Sequence, residues 1–322
     1  MLYLNKESIS QIDRSMIQEA VRHAYHLVLD KAFNMPDRMH VADNENMLLL
    51  MPCFSEKYFA TKLVSVFPEA GKHGLPAVNG VLVLCDNLTG QPLAFMDGAA
   101  VTAERTGAVG GLGVDCLAPD KAATAGIFGA GVQGRSQARY LLLNRPVTTL
   151  WVHDLFPEAS QKMVKDLESE FPDLEFKIAR DPLELVRESQ IIIAATTTKN
   201  PLFEIPADRV SDLTRSKTFV SIGSFRPDMK EFPDPVILAA DTVYVDTPFA
   251  AQESGDICIP LKGGIIGKEK IEEFASLMKN PVPREGKTYF FKSVGMALFD
   301  LAVASAVYDF AVKESIGQDL SW

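Results

Sequence analysis

The sequence is poor in residues suited to metal chemistry. Its five histidines form no H-x-x-x-H pair, and its four cysteines (Cys53, Cys85, Cys116, Cys258) stand far apart without a C-x-x-C. That spacing excludes the common zinc signatures, and a disulfide framework is uncommon in a chain this long. We read four reduced thiols in a cytoplasmic protein and expect no metal. No apolar run reaches the roughly 20 residues that a membrane-spanning helix needs. The opening MLYLNKESIS lacks the basic start and apolar stretch of a secretion signal. Basic residues are also outnumbered, 32 Lys+Arg against 42 Asp+Glu, for a net charge of −10. That balance disfavours nonspecific attraction to nucleic acid or to an anionic membrane.

What is present is a soluble globular composition, 47% apolar and 23% charged over 322 residues. Chains of this length usually split into two domains. Residues 15–31 carry Ile17, Ala20, Val21, Ala24, Tyr25 and Val28 at helical spacing. Strands are expected at 48–52 and 59–67, and a β-hairpin at 77–96 around the turn-rich Asp-Asn-Leu-Thr-Gly. A small-residue segment, AAVTAERTGAVGGLGVDCLA (99–118), then plausibly connects two domains.

From Ala122 the pattern alternates strand and helix. Strands are expected at 124–129, 148–154, 175–179, 190–195, 218–223 and 242–246, with helices at 132–144 and 157–170, a further strand at 288–293 and a long helix at 294–313. Apolar strands separated by helices indicate a parallel sheet covered on both faces. The expected fold is therefore α/β: a Rossmann doubly wound, mostly parallel sheet over 119–294, plus a smaller α+β domain from 1–118 and 295–322.

GAGVQG (129–134) is a G-x-G-x-x-G that ends an apolar strand and opens a helix. The next strand ends in Asp154, 20 residues past Gly134. In that context the motif reads as a dinucleotide fingerprint. Gly129 allows the turn, Gly131 the approach of a pyrophosphate, and Gly134 close helix–sheet packing. The N–H groups of Val132, Gln133 and their neighbours bind the anion. Asp154 accepts ribose hydroxyls and repels a 2′-phosphate, favouring NAD(H) over NADP(H). In a doubly wound sheet, GAGVQG, TTTKN (196–200) and GSFRPD (223–228) should meet at the carboxyl ends of the strands.

Three cations stand in informative places. Lys62 shares a strand face with Tyr58, Ala60, Val64 and Val66. There it either snorkels from an edge strand or meets an anion. Arg105, among small residues, either pairs with Glu104 or another acid, or binds a phosphate or carboxylate. Arg38 reads as a loop arginine. Glu253 and Asp256 flank a glycine turn, where exposed acids are the default.

Taken together, LMP, TKLV, GLP with its hairpin, TAERTGAVGGL, GAGVQG, RPD, ESGD and FKSVGMALFDLAVA resemble the ornithine cyclodeaminase and μ-crystallin family along most of the chain. The resemblance implies a dimer whose N-terminal part and last helix form the substrate and dimerisation domain. It implies Lys62 as the active-site lysine and Arg38 as the substrate-carboxylate arginine. It puts Arg105 and Thr106 at the cofactor phosphates, Asp154 at the adenosine ribose, Thr196 and Gly223 beside the cofactor, and Glu253 and Val294 at the substrate. Two departures matter. Phe225 stands where ornithine cyclodeaminases carry a catalytic aspartate, and Leu49 where they carry a glutamate; Asp228 is close by.

The expected activity is NAD(P)H-dependent reduction of a small cyclic ketimine acid, giving proline or pipecolate, with Phe225 walling the substrate. The alternatives are an ornithine cyclodeaminase or alanine dehydrogenase, with Asp228 or Glu253 as base, and a non-catalytic dinucleotide-dependent ligand binder like μ-crystallin.

Overall fold

A computed structural model describes residues 1–321. The chain divides into two compact units, Met1–Arg105 with the chain from Met296 on, and Thr106–Gly295. It begins with β1 (Leu2–Leu4), α1 (Lys6–Ile9), α2 (Arg14–Asp30), β2 (Met39–Asp43), β3 (Asn46–Phe54), β4 (Tyr58–Val66), β5 (Val78–Asp86) and β6 (Pro92–Asp97). Helix α3 (Gly98–Leu117) follows. The second unit then runs β7 (Thr124–Phe128), α4 (Val132–Asn144), β8 (Thr149–His153), α5 (Pro157–Glu168), β9 (Glu175–Ile178), α6 (Pro182–Glu188) and β10 (Ile191–Ala194). It continues through α7 (Val210–Thr214), β11 (Thr218–Ser221), α8 (Asp234–Ala239), β12 (Thr242–Val245), α9 (Ala250–Glu253), α10 (Gly255–Lys262), β13 (Ile271–Glu273) and β14 (Tyr289–Lys292). Finally α11 (Ala297–Glu314) and β15 (Gln318–Asp319) return to the first unit.

The first unit is a seven-stranded sheet in the order β15-β1-β6-β5-β4-β3-β2. Its pairings are antiparallel except β1 with β6. Strand alternation gives the sheet one buried face, formed by Met51, Cys53, Ala60, Lys62, Val64, Leu82 and Leu84. Helix α11 packs on β3, β4 and β5. It is apolar nearly all round, as a helix buried on several sides must be. The opposite face leaves Met39, Val41, Phe54 and Leu63 exposed. Helix α2 starts where Asp13 accepts the Ser15 N–H at 2.7 Å, an N-cap worth about 1 kcal/mol.

The second unit is an eight-stranded, wholly parallel sheet in the order β13-β12-β14-β11-β10-β7-β8-β9. Successive strands run outward from β7 to β8 and β9, then restart on its other side with β10, the reversal of a doubly wound fold. One strand lies out of sequential order. The late strand β14 inserts between β11 and β12, pairing with both. Strands β1, β2, β13 and β15 escape the sequence reading.

Two boundaries also differ from expectation. The units divide inside α3 rather than after it, because the helix beyond Arg105 belongs to the second core. There Gln137 Nε2 donates to the Thr106 carbonyl at 2.8 Å. A β-carbon on Gly110 would stand 1.8 Å from Gln137 Oε1, so only glycine admits this approach. At the other end, α11 starts three residues later than the periodicity suggests. The Asp246 carboxylate holds the N–H groups of Val294 and Gly295 at 3.0 and 2.7 Å. Gly295, at φ +76°, lies outside the helical region. Among the described residues, no helix is long and apolar enough to cross a membrane.

Candidate active site

Lys62 is the most costly side chain in the first unit. It lies on β4, an interior strand flanked by β3 and β5, and is 2% exposed. It therefore does not snorkel from an edge. Its ammonium meets Asp300 Oδ2 at 2.7 Å and Thr102 Oγ1 at 3.2 Å. The other oxygen, Asp300 Oδ1, accepts a bond from Arg105 Nε at 3.0 Å. One buried acid, from the first turn of α11, thus serves two cations from β4 and α3. A carboxylate there is also favoured by the helix N-terminus.

Burial pushes the Lys62 ammonium down to about 8. Asp300 opposes that shift, while the positive charges of Arg105 and Arg38 add to it. Arg38 lies one residue before β2. Extending the β2–β3 register sets it opposite Met51, which is the cross-strand partner of Lys62. Directly opposed residues share a face, so Arg38, Met51 and Lys62 form a row. Leu49 lies on that same face, opposite Val64. Nearby Cys53 is inert, its thiol pushed up to about 12 by burial and by the Asp300 charge.

In the second unit the glycines of GAGVQG serve separate ends. Gly129 has φ +91°. A β-carbon on Gly134 would fall 1.8 Å from the Gly129 carbonyl, which forces glycine where α4 leaves the sheet. Gly131, by contrast, has open space where its β-carbon would be. It is the N-cap of α4 and offers no side-chain cap. The free N–H groups of the first turn, at Val132 and Gln133, are thus left to an external acceptor. Two buried polar atoms, Thr106 Oγ1 and Gln133 Oε1, have no hydrogen-bond partner among the described residues. Asp154 follows β8 and accepts from Ala130 N at 2.7 Å and Phe156 N at 3.0 Å, which fixes its carboxylate beside the glycine turn. A nucleotide pyrophosphate and ribose fit this set of donors and acceptors.

The three strand exits do converge. A β-carbon on Gly129 would approach the Ala195 carbonyl to 2.6 Å and Thr196 Cγ2 to 3.1 Å. One on Gly223 would lie 1.9 Å from the Thr196 carbonyl. Past Gly223, Phe225 is 39% exposed. Asp228 is committed elsewhere, to Arg226 Nε at 3.0 Å and to Lys199 Nζ at 3.3 Å. Burial acts to raise its pKa, but the Lys199 hydrogen bond and the charges of Arg226 and Lys199 prevail and lower it. A carboxylate so held is a weak base. Glu253 ends the short helix α9, half-buried. Val294 is buried, tied to Asp246 through its N–H.

Sequence reading missed Asp300. A charge inside the apolar run ALFDLAVA was the available signal, since a buried acid demands a partner. It also missed Glu231, which gathers the loops after β10 and β11 and lies in no recognisable motif. No cluster of His, Cys, Asp or Glu among the described residues could hold a metal ion.

Comparison with known proteins bears on this arrangement. A family model described as the ornithine cyclodeaminase/mu-crystallin family matches residues 4–315. A Delta(1)-pyrroline-2-carboxylate reductase of Bacillus cereus is 30% identical over 289 residues, covering 87% of this chain and 86% of the relative. The solved Delta(1)-pyrroline-2-carboxylate reductase of Thermococcus litoralis, in complex with NADH and L-proline, superposes with a TM-score of 0.92. It is 30% identical and covers 99% of this chain and 100% of its own. An archaeal alanine dehydrogenase dimer with bound NAD gives a TM-score of 0.89 at 25% identity, covering 100% of this chain and 99% of its own.

Proposed function

Because the chain belongs to the ornithine cyclodeaminase/mu-crystallin family, we propose that it is an NADH-dependent reductase of small cyclic ketimine acids, converting pyrroline-2-carboxylate or piperideine-2-carboxylate to proline or pipecolate. Relatives at 30% identity, one of them solved with NADH and L-proline, carry the pyrroline-2-carboxylate reductase name. Within the molecule, the reading rests on the buried Lys62–Asp300 pair, 2.7 Å apart.

Reduction of the ring C=N adds a hydride to carbon and a proton to nitrogen. NADH, when bound, supplies the hydride. The first unit supplies the rest. Arg38 takes the substrate carboxylate, for which a guanidinium is bidentate. Lys62, kept charged at neutral pH by Asp300, delivers the proton to the imine nitrogen. Holding the acceptor in place and protonated is most of what this chemistry asks of the protein. Deamination of ornithine asks for more, a base at the α-nitrogen. Phe225 and Leu49 have no exchangeable proton, and Asp228 is held by Arg226 and Lys199.

In the second unit, the first-turn N–H groups of α4 and the Thr106 hydroxyl would hold the pyrophosphate. Asp154 would take the ribose hydroxyls and disfavour a 2′-phosphate, so NADH is the preferred partner over NADPH. A homodimer is supported by the exposed apolar residues of the sheet face and by the dimeric alanine dehydrogenase relative.

The test is NADH consumption with each cyclic imine beside ammonia release from ornithine. Imine reduction without ammonia release is expected. Ammonia release without imine reduction would overturn the reading, and inertness in both with tight NADH binding would point to a binding protein.

A further inference from the structure

We infer that Glu231 is a positioning residue for the dinucleotide: its buried carboxylate clasps the two loops that leave β10 and β11. The inference rests on the cofactor reading above. Strands β10 and β11 stop pairing just past their ends, where Ile222 N donates to the Ala194 carbonyl at 2.8 Å. Beyond that point the backbones separate, and their N–H groups need other acceptors. Glu231 supplies them. Its Oε1 accepts from Thr196 N at 2.7 Å and Thr196 Oγ1 at 2.9 Å. Its Oε2 accepts from Gly223 N at 2.8 Å, Ser224 N at 3.2 Å and Ser221 Oγ at 2.7 Å. One carboxylate thus replaces the missing rungs between two strand exits.

The clasp is itself anchored. Asp256 Oδ1 accepts from the N–H groups of Glu231 and Phe232 at 2.9 and 3.0 Å. Lys292 Nζ donates to Ser221 Oγ at 2.9 Å and stands 4.0 Å from Asp256 Oδ2, balancing the buried negative charge. Glu231, Asp256 and Lys292 are all 0% exposed. So full a set of donors is more than an acid needs merely to be tolerated in a core. Its consequence lies at Thr196, which abuts the turn at Gly129 and the backbone at Gly223. Whatever holds Thr196 holds the walls of the glycine loop and of the GSFRPD exit together. Glu231 does not touch the dinucleotide in this account; it acts through those two loops.

The test is Glu231→Gln, which keeps shape but replaces an accepting oxygen with a donor that faces N–H groups. Three readouts are needed. The Kd for NADH, from fluorescence titration, is expected to rise roughly 10-fold to 100-fold, as for loss of hydrogen bonds to a charged group. At saturating NADH, kcat should fall far less than the NADH affinity does, a split that simple loss of folded protein would not produce. Amide exchange should quicken in peptides spanning 195–198 and 222–225 and not in β7 or β8. Should Glu231→Gln fail to fold, Glu231→Asp replaces it. Its shorter carboxylate cannot reach both loops at once, and the same changes are expected. Wild-type Kd and exchange in whichever variant folds would overturn the clasp. If wild-type protein binds no NADH, the cofactor reading fails instead, and exchange at Thr196 and Gly223 still decides whether Glu231 joins the loops.

Discussion

Lys62 would carry both stability and chemistry in the proposed reaction. Its charge survives burial only because Asp300 is there, and Asp300 is in turn shared with Arg105. With Lys62 brought down to about 8, the protonated donor is present below that pH and lost above it. Imine reduction should therefore fall about tenfold per pH unit above about 8. The reverse oxidation, which needs neutral Lys62 to accept the amine proton, should rise over the same range. Initial rates in both directions from pH 6 to 10 check this, and parallel profiles would remove Lys62 from proton transfer. Lys62→Met should abolish reduction while NADH still binds. Asp300→Asn removes the interaction that raises the lysine pKa, so the alkaline limb should move to lower pH. It also leaves two cations without their acid, at a cost of about 3–5 kcal/mol, measurable by urea unfolding. Lys62 and Arg105 were legible as charges among apolar or small residues, and Arg38 only through the family resemblance. The partner shared by Lys62 and Arg105 was not legible, because Asp300 lies 195 positions from Arg105 in the chain.

At the scale of elements, the glycine turn into α4 was readable because strand, turn and helix are contiguous. Two of its glycines predict different outcomes. Gly131 has φ −75°, a conformation open to alanine, and open space at its β-carbon. Gly131→Ala should thus fold with wild-type Tm while NADH affinity falls at least roughly tenfold, since the methyl occupies the ground of the pyrophosphate. A lower Tm with unchanged affinity would reverse that assignment. Gly134→Ala meets the Gly129 carbonyl at 1.8 Å and should destabilise the unit itself. Helix α2 follows from its periodicity and its Asp13 cap, and α4 and α5 from the alternation of strand and helix. Strands β1, β13 and β15 do not, because each is held by a neighbour distant in sequence, as Leu2 is by Ala94 and Asp319.

For the whole molecule, the first unit's sheet is asymmetric. One face is sealed by α11, while the other exposes Met39, Val41, Phe54 and Leu63 together. An apolar patch of this kind marks an interaction surface. Light scattering at micromolar concentration should give twice the 35.3 kDa chain mass. Leu63→Lys, placed in the middle of that face, should shift the population toward monomer. A monomeric wild type would leave the patch without its proposed occupant.

The sequence alone determined the class of fold and carried the glycine fingerprint, because both are written in contiguous periodicity, and it singled out Lys62 as a charge placed where burial is costly. Phe225, where the resemblance puts the aspartate of ornithine cyclodeaminases, was also visible there. Only the tertiary structure decided which acids answer those charges: Asp300 for Lys62 and Arg105, Arg226 and Lys199 for Asp228, and Glu231 for the loops after β10 and β11. Such pairings depend on distances across a packed core, and residues that no local pattern links become neighbours only once the sheets are assembled.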